Sequence, residues 1–335
     1  MRAWQKLVFV VFVATAIGSA VSHAAIHWLK IRSGYSDPQQ YGKPENRAQI
    51  ILHGSSLAYD GLDWNRIANA LGAGIESWAT AGSSPSEWEQ QHDASESVRE
   101  TIVVVSAYDL NEYWLSDFRA DIVPLGDAIR DLKYCKPDGQ LCKRILSQYP
   151  QMLVRKLFPT VGRSDGVMIG IRAELIKQAG GMAGGDVEDG PKIGVTNASV
   201  VAQKLTDWSP ARLQRRLVLM RTGFQGKHWF EGPKKAALVR LLEQARRQGS
   251  VVMIVMPVSP TYQREFVGQQ VSNEFEEALA DLQKSDPRML IVRLDHLHEL
   301  DHDEVFSDLV HLNMYGQQIA TAFLLQRLGQ RAISP

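Results

Sequence analysis

The sequence predicts a three-layer α/β fold, with a five-stranded parallel sheet between two helical layers and a large, mostly helical insertion between strands three and four. Three observations predict it. Apolar runs recur along the chain, each followed by a polar or glycine-containing tip. Two of these runs, 101–111 and 250–260, are nearly continuous in β-branched and apolar residues, the composition of strands buried on both faces. Helical patterns separate the runs, and that alternation belongs to α/β sheets.

The five expected strands lie at 49–53, 74–82, 101–111, 250–260 and 288–295. Between them, "DWNRIANALG" carries apolar Ile67, Ala68 and Leu71 on one side and stops at Gly72. Ser84, Pro85 and Glu87 suit a helix N-cap and first turn. Helical spacing continues at 233–247 and 273–285. In the last helix Ile319, Phe323, Leu324 and Leu328 repeat at helical intervals. About 140 residues separate strands three and four, far more than a plain crossover needs. Residues 112–232 therefore form an insertion, with helical patterns near 141–157 and 167–178 and a glycine-rich stretch at 178–190. It is expected to serve as a lid, a substrate wall or a partner surface.

Residues 1–30 stand apart from the α/β domain, which is expected over 45–335. Arg2 and Lys6 precede nineteen residues, Leu7 to Ala25, without a formal charge. That layout fits a signal peptide or a single membrane anchor. Cleavage patterns occur at Gly18-Ser19-Ala20 and Ser22-His23-Ala24, yet the apolar stretch continues through Ile26, Trp28 and Leu29. Its length favours an uncleaved anchor. Either alternative carries the rest of the chain out of the cytoplasm, to the periplasmic or extracellular face. Across 335 residues, 37 basic and 37 acidic side chains balance, and no basic stripe, zinc spacing or phosphate-cradling loop is present, so nucleic acid is not an expected partner. The only cysteines, Cys135 and Cys142, flank the turn formers Pro137, Asp138 and Gly139. In an oxidising space they can close a small disulfide loop; the alternative is two thiols in a loop.

The stretch "IILHGSSL" ends an apolar run in a glycine and two hydroxyls. Ligands bind beyond the carboxyl ends of strands in open parallel sheets. The expected strand tips bring together Ser55 and Ser56, then Gly82, then Asp109 and Asn111. Asp308 and His311 arrive just before the last helix. A serine hydroxyl is a poor nucleophile until a base takes its proton. His311 is the candidate base, and Asp308 the candidate group that orients it and stabilises its cation. The backbone N–H groups of Ser56 and Gly82, with a side-chain amide, are the candidate oxyanion donors.

These blocks, in this order, resemble the SGNH (GDSL-like) hydrolase superfamily. "HGSSL" is similar to its first block, with Ser56 at the nucleophile position; Gly82 matches the glycine block; "DLVH" matches the final block and supplies Asp308 and His311. The resemblance covers roughly 47–111 and 250–328 and implies a flavodoxin-like parallel sheet. Ser55 stands where the family usually has an aspartate. In the third block, "SAYDL" puts Ser106 at the glycine and Tyr108 at the asparagine, so Asn111 or Tyr108 is the expected third oxyanion donor. The anchor, together with "VMPVSPTYQREF", resembles membrane-attached SGNH proteins of cell-envelope O-acylation. That likeness implies an acyltransferase, with acetyl the expected group, that modifies a polysaccharide and works beside a multi-pass membrane O-acyltransferase. An esterase or deacetylase, or a non-catalytic glycan-binding or scaffold component, are the alternatives. No cofactor and no metal are expected. His296, His298 and His302 lie in an acidic, irregular stretch better suited to a solvated loop than to a metal site. Core packing is the default for Trp78, Trp88, Trp114 and Trp229.

Overall fold

A computed structural model describes residues 3–28, 38–42, 48–92, 99–114, 123–135, 139–158, 161, 210–224 and 227–333. These fall into two compact units. One contains helix α1 (Ala3–Trp28) and the described residues from Lys143 to position 161, most of helix α7 (Gly139–Leu157). Within it, Phe158 packs on Gly18, and His23 Nε2 lies 3.3 Å from the carbonyl of Lys156. Helix α1 is long and apolar enough to cross a membrane, with Phe9, Val10 and Phe12 exposed along it. Its length and composition suit an anchor or a signal sequence alike.

The second unit is an α/β domain with a mixed sheet of six strands, in the order β1-β3-β2-β4-β5-β6. These are β1 (Gln39–Tyr41), β2 (Ala48–His53), β3 (Gly74–Ser77), β4 (Glu100–Val105), β5 (Ser250–Val255) and β6 (Leu290–Arg293). Strands β2 to β6 pair in parallel, in the order of a doubly wound sheet. The expected five-stranded parallel sheet is thus corrected to a mixed, six-stranded one. The addition is β1, which runs antiparallel along the free edge of β3. Its sequence, Gln-Gln-Tyr, carries no apolar alternation; pairing with an open strand edge makes it a strand. Parallel pairing is longest between β4 and β5, where six residues of each stay in register.

Side chains of the central strands alternate between two cores. Ile50, Leu52, Ile102, Val104, Val252 and Ile254 face one of them. It is closed by α3 (Trp64–Leu71), α8 (Pro210–Phe224) and α11 (Met314–Ile333). Val103, Val105, Val251, Met253 and Val255 face the other, closed by α4 (Pro85–His92), α9 (Pro233–Gln248) and α10 (Gly268–Ser285). Each fully buried Val, Ile or Leu contributes about 1.5–3 kcal/mol. The helix ends follow local chemistry. Asp63 accepts from Arg66 N at 3.0 Å, and Gly72 ends α3 at φ +62. Ser84 donates from its N and its Oγ to Glu87, at 2.7 and 2.5 Å, and its carbonyl accepts from Glu87 N, so α4 starts where the N-cap and first turn were expected.

The insertion is divided between the units, and α8 belongs to the sheet domain. Its described part also holds α6 (Leu125–Asp131). The helical pattern expected at 167–178 and the glycine-rich 178–190 lie outside the described residues. So does the side chain of Cys135; Cys142 is half-buried on α7.

Helix α2 (Ser56–Gly61) starts only three residues after β2 ends. That junction is tight at Gly54. A Cβ there would lie 2.3 Å from Ala58 Cβ and 3.3 Å from Val104 Cβ. Gly54→Ala is expected to lower stability by about 1–3 kcal/mol through overpacking, measured by chemical denaturation of the full chain in detergent. An unchanged denaturation midpoint would contradict this account of the junction.

Candidate active site

The site is built at the carboxyl ends of β2, β3 and β4. Ser55 is the N-cap of α2: its Oγ accepts from Leu57 N at 3.2 Å, and its carbonyl accepts from Ala58 N and Tyr59 N. Capping therefore falls to Ser55, which is buried, and leaves Ser56 as the first helical residue, half-exposed. Ser56 Oγ donates to His311 Nε2 at 2.7 Å. His311 Nδ1 donates to Asp308, at 2.9 Å from both carboxylate oxygens. The carboxylate fixes that tautomer, because it can only accept. Three residues 255 positions apart or less in sequence thus form one hydrogen-bonded line from hydroxyl to imidazole to carboxylate.

Asp308 is held by its own loop. Phe306 and Leu312 form an antiparallel bridge, and Ser307 N donates to His311 O at 2.8 Å. Inside that closed turn Asp308 Oδ1 accepts from the backbone N–H of Val310 and of His311, at 2.9 and 2.8 Å. Arg216, on α8, places Nη1 2.5 Å from Asp308 Oδ2. Burial pushes the Asp308 carboxyl up, but His311 and the two backbone donors outweigh it and hold the group well below the usual carboxylate range. The loop is set against the sheet by Ser259 N, which donates to Leu309 O at 3.0 Å, and by Thr261, whose N and Oγ1 donate to Asp303. Helix α11 follows, capped by Asn313 Oδ1. It reaches back to α2 through Gln317 Nε2 to Asp60 O at 3.0 Å, while Thr321 Oγ1 accepts from Asp63 N at 3.0 Å.

Gly82 sits in the β3–α4 loop at φ +77, a left-handed conformation that glycine adopts without strain. The loop is latched to the β2–α2 turn, since Thr80 N and Ser83 Oγ both donate to Gly54 O, at 3.1 and 3.0 Å. Trp88, fully buried, donates to Ser83 Oγ and so packs as core. Among the described residues, the backbone N–H groups of Ser56 and Gly82 have no protein acceptor. Beneath them His53 Nε2 and His92 Nδ1 lie 3.1 Å apart, both buried; burial first, and the second ring next, hold His53 well below the usual histidine range.

At the β4 tip lies a short helix, α5 (Ala107–Leu110). Ser106 Oγ donates to Asp109 Oδ2 at 3.0 Å, and burial pushes the Asp109 carboxyl up to about 6 against the pull of Ser55, Ser106, Lys234 and His311. Asn111 is fully buried, and both ends of its carboxamide hold backbone: Nδ2 donates to Lys227 O at 3.2 Å and Oδ1 accepts from Tyr113 N at 3.1 Å. Tyr108 stands half-buried at the same tip, its ring 5.1 Å from that of Trp114.

Sequence patterns pointed to neither Arg216 nor Lys234. Lys234 is buried at the start of α9; its Nζ donates to the carbonyls of Asp109 and Asn111 at 3.0 and 2.8 Å and lies 4.4 Å from the Trp114 ring. Arg216 sits in a run of arginines on a surface-like helix, and nothing in that run separates it from Arg212 or Arg215. Elsewhere, Glu276, Asp295 and His296 lie within 4.8 Å of one another, but Arg293 places its guanidinium among them, with Nη1 2.7 Å from Glu276 and Nη2 2.8 Å from Asp295 and 2.6 Å from His296. A cavity of about 430 Å³ opens beyond β5 and β6, lined by Pro257, Val258, Phe275 and Asp295 among others; Ser56 and His311 are not in its wall.

The ionised Asp308 stabilises the fold above about pH 4, its unfolded value, and that contribution is lost as the pH falls lower. The stability gap between the wild-type chain and Asp308→Asn, followed by denaturation from pH 7 to pH 2, is expected to narrow below about pH 4; a gap independent of pH would mean that Asp308 carries no such linkage. Compared with known proteins, the chain matches no family model, and no curated protein aligns with it significantly.

Proposed function

We propose that the chain is a membrane-anchored, exported serine-dependent O-acyltransferase of SGNH type. It transfers an acyl group, acetyl in the simplest case, to a hydroxyl of an envelope or extracellular polysaccharide. The observation that carries this reading is the line Ser56–His311–Asp308, with a 2.7 Å hydrogen bond from the hydroxyl to the imidazole. The resemblance of the sequence blocks to the SGNH superfamily supports it, as does the order of the five parallel strands. The apolar α1 supports the membrane attachment.

In the first half-reaction Ser56 Oγ attacks the carbonyl carbon of an acyl donor while its proton passes to His311 Nε2. Asp308 stabilises the imidazolium so formed. The carbonyl oxygen becomes an oxyanion held by the backbone N–H groups of Ser56 and Gly82. The donor's leaving group departs with the proton from His311, and an acyl-Ser56 ester remains. In the second half-reaction a sugar hydroxyl attacks that ester, its proton passes to His311, and Ser56 leaves and regains the proton. The donor side is a multi-pass membrane O-acyltransferase, and α1 keeps the domain at high local concentration beside it.

The test is intact-protein mass spectrometry of the full chain after exposure to an activated acetyl ester. The wild type is expected to gain one acetyl mass. Ser56→Ala is expected to gain none and to lose at least about a thousand-fold in turnover. Release of the acyl group to water alone, with added oligosaccharides untouched, would replace the transferase with an esterase. No adduct and no turnover in folded wild-type protein would remove the catalytic reading.

A further inference from the structure

The geometry points to Arg216 as a positioning residue that sets the charge balance of the Asp308–His311 pair and keeps the imidazole neutral to lower pH. The inference deepens the catalytic reading above and rests on it for its consequence, though not for its measurement. Serine–histidine–carboxylate sites need a carboxylate free to stabilise the imidazolium that forms when the serine proton is taken. Here the carboxylate is shared. Oδ1 receives two backbone N–H groups and the imidazole, and Oδ2 receives the imidazole and the guanidinium of Arg216 at 2.5 Å. A permanent cation on the far oxygen opposes a second cation on the ring. Arginine stays charged at every accessible pH, so the effect does not switch off.

The charged and titratable groups facing the ring come from three elements. Asp308 lies on its own turn, Arg216 on α8 and the buried Asp109 at the tip of β4, with Lys234 behind Asp109. Ser56, from α2, contributes a neutral hydroxyl. Of these, Arg216 alone comes from the inserted segment 112–232. Its place is not accidental to the packing: Leu217 next to it is buried in the sheet core, and Leu213 and Met220 pack on the same core. The insertion therefore supplies a charge to the reacting groups. Arg216 is 37% exposed, so water screens the effect. The consequence is a base that remains able to accept the Ser56 proton in mildly acidic surroundings.

The test follows the nine histidines by NMR in the full chain, labelled at imidazole Cε1 and held in detergent, with His311→Asn identifying the His311 signal. In Arg216→Gln the His311 titration midpoint is expected to rise by about half a pH unit or more relative to wild type. Arg216→Lys, which keeps the charge, is expected to titrate close to wild type. The acid limb of kcat/KM for acyl transfer is expected to move upward with the midpoint in Arg216→Gln and to stay in place in Arg216→Lys. No shift in Arg216→Gln, or an equal shift in both variants, overturns the assignment, since the first denies the coupling and the second makes it a matter of shape. A wild-type chain that turns over no ester, with the midpoint shift still present in Arg216→Gln, overturns the catalytic reading and leaves the charge assignment to Arg216 standing.

Discussion

Gly54 joins the tips of β2, β3 and β4. A Cβ there would lie 2.3 Å from Ala58 Cβ and 3.3 Å from Val104 Cβ, so glycine lets the chain leave β2 and enter α2 through only two residues. Its carbonyl accepts from Thr80 and Ser83, which fastens the β3 tip to the β2 tip. One small residue thereby sets the entry angle of α2, the placement of the Gly82 loop and the exposure of Ser56. Any side chain at this position would push the helix off the sheet. The division of labour between the two serines depends on it as well. Ser55 turns inward to cap the helix, and Ser56, one residue on, is left pointing to the histidine.

The hydrogen-bond partners of Ser56 come from the far end of the chain. His311 and Asp308 occupy a turn closed by its own backbone, and the helix that follows is tied to α2 by Gln317 and Thr321. Chain ends some 255 residues apart in sequence are joined this way, and apolar burial of Ala320, Leu324 and Leu328 fixes the join. Beneath the surface groups lies a set of buried charges. Glu112 caps α9 by accepting from Lys234 N and Lys235 N, and burial pushes its carboxyl up to about 7. Lys234 in turn gathers the carbonyls at the end of α5. Each charge is desolvated, and each is tolerated because it has hydrogen-bond partners. These bonds lock the β4 tip to α9, which keeps Asp109 and Tyr108 in place beside the serine turn.

The two faces of the sheet serve different ends. The face covered by α4, α9 and α10 is apolar packing. The face covered by α3, α8 and α11 carries the Ser56–His311–Asp308 line at its edge, and one of its three helices belongs to the insertion. A segment that looks dispensable to the α/β framework thus buries Leu217 in the core and lays Arg216 on the Asp308 carboxylate. Inserted segments vary more easily than the frame, so charge at the site can be tuned without disturbing the strands.

The sequence by itself determined the α/β class, the parallel strands β2 to β6, the helix stop at Gly72 and the helix start at Ser84, and the candidates Ser56, Asp308 and His311. The reason is local: strand burial, helical spacing and capping are written in short windows of residue type. Only the tertiary structure decided the sixth strand, since Gln39–Tyr41 has no strand signal and pairs because β3 offers a free edge. It also decided which serine caps and which faces the histidine, a question of direction that two adjacent hydroxyls leave open. Asn111 was expected at the reacting centre, and its carboxamide is turned to the backbone of Lys227 and Tyr113. Arg216 was invisible among neighbouring arginines because its partner lies 92 positions away, and a long-range ion pair leaves no periodic mark in the chain. Periodicity specifies what folds next to itself; which distant charges meet is settled only when the cores on both faces of the sheet have closed.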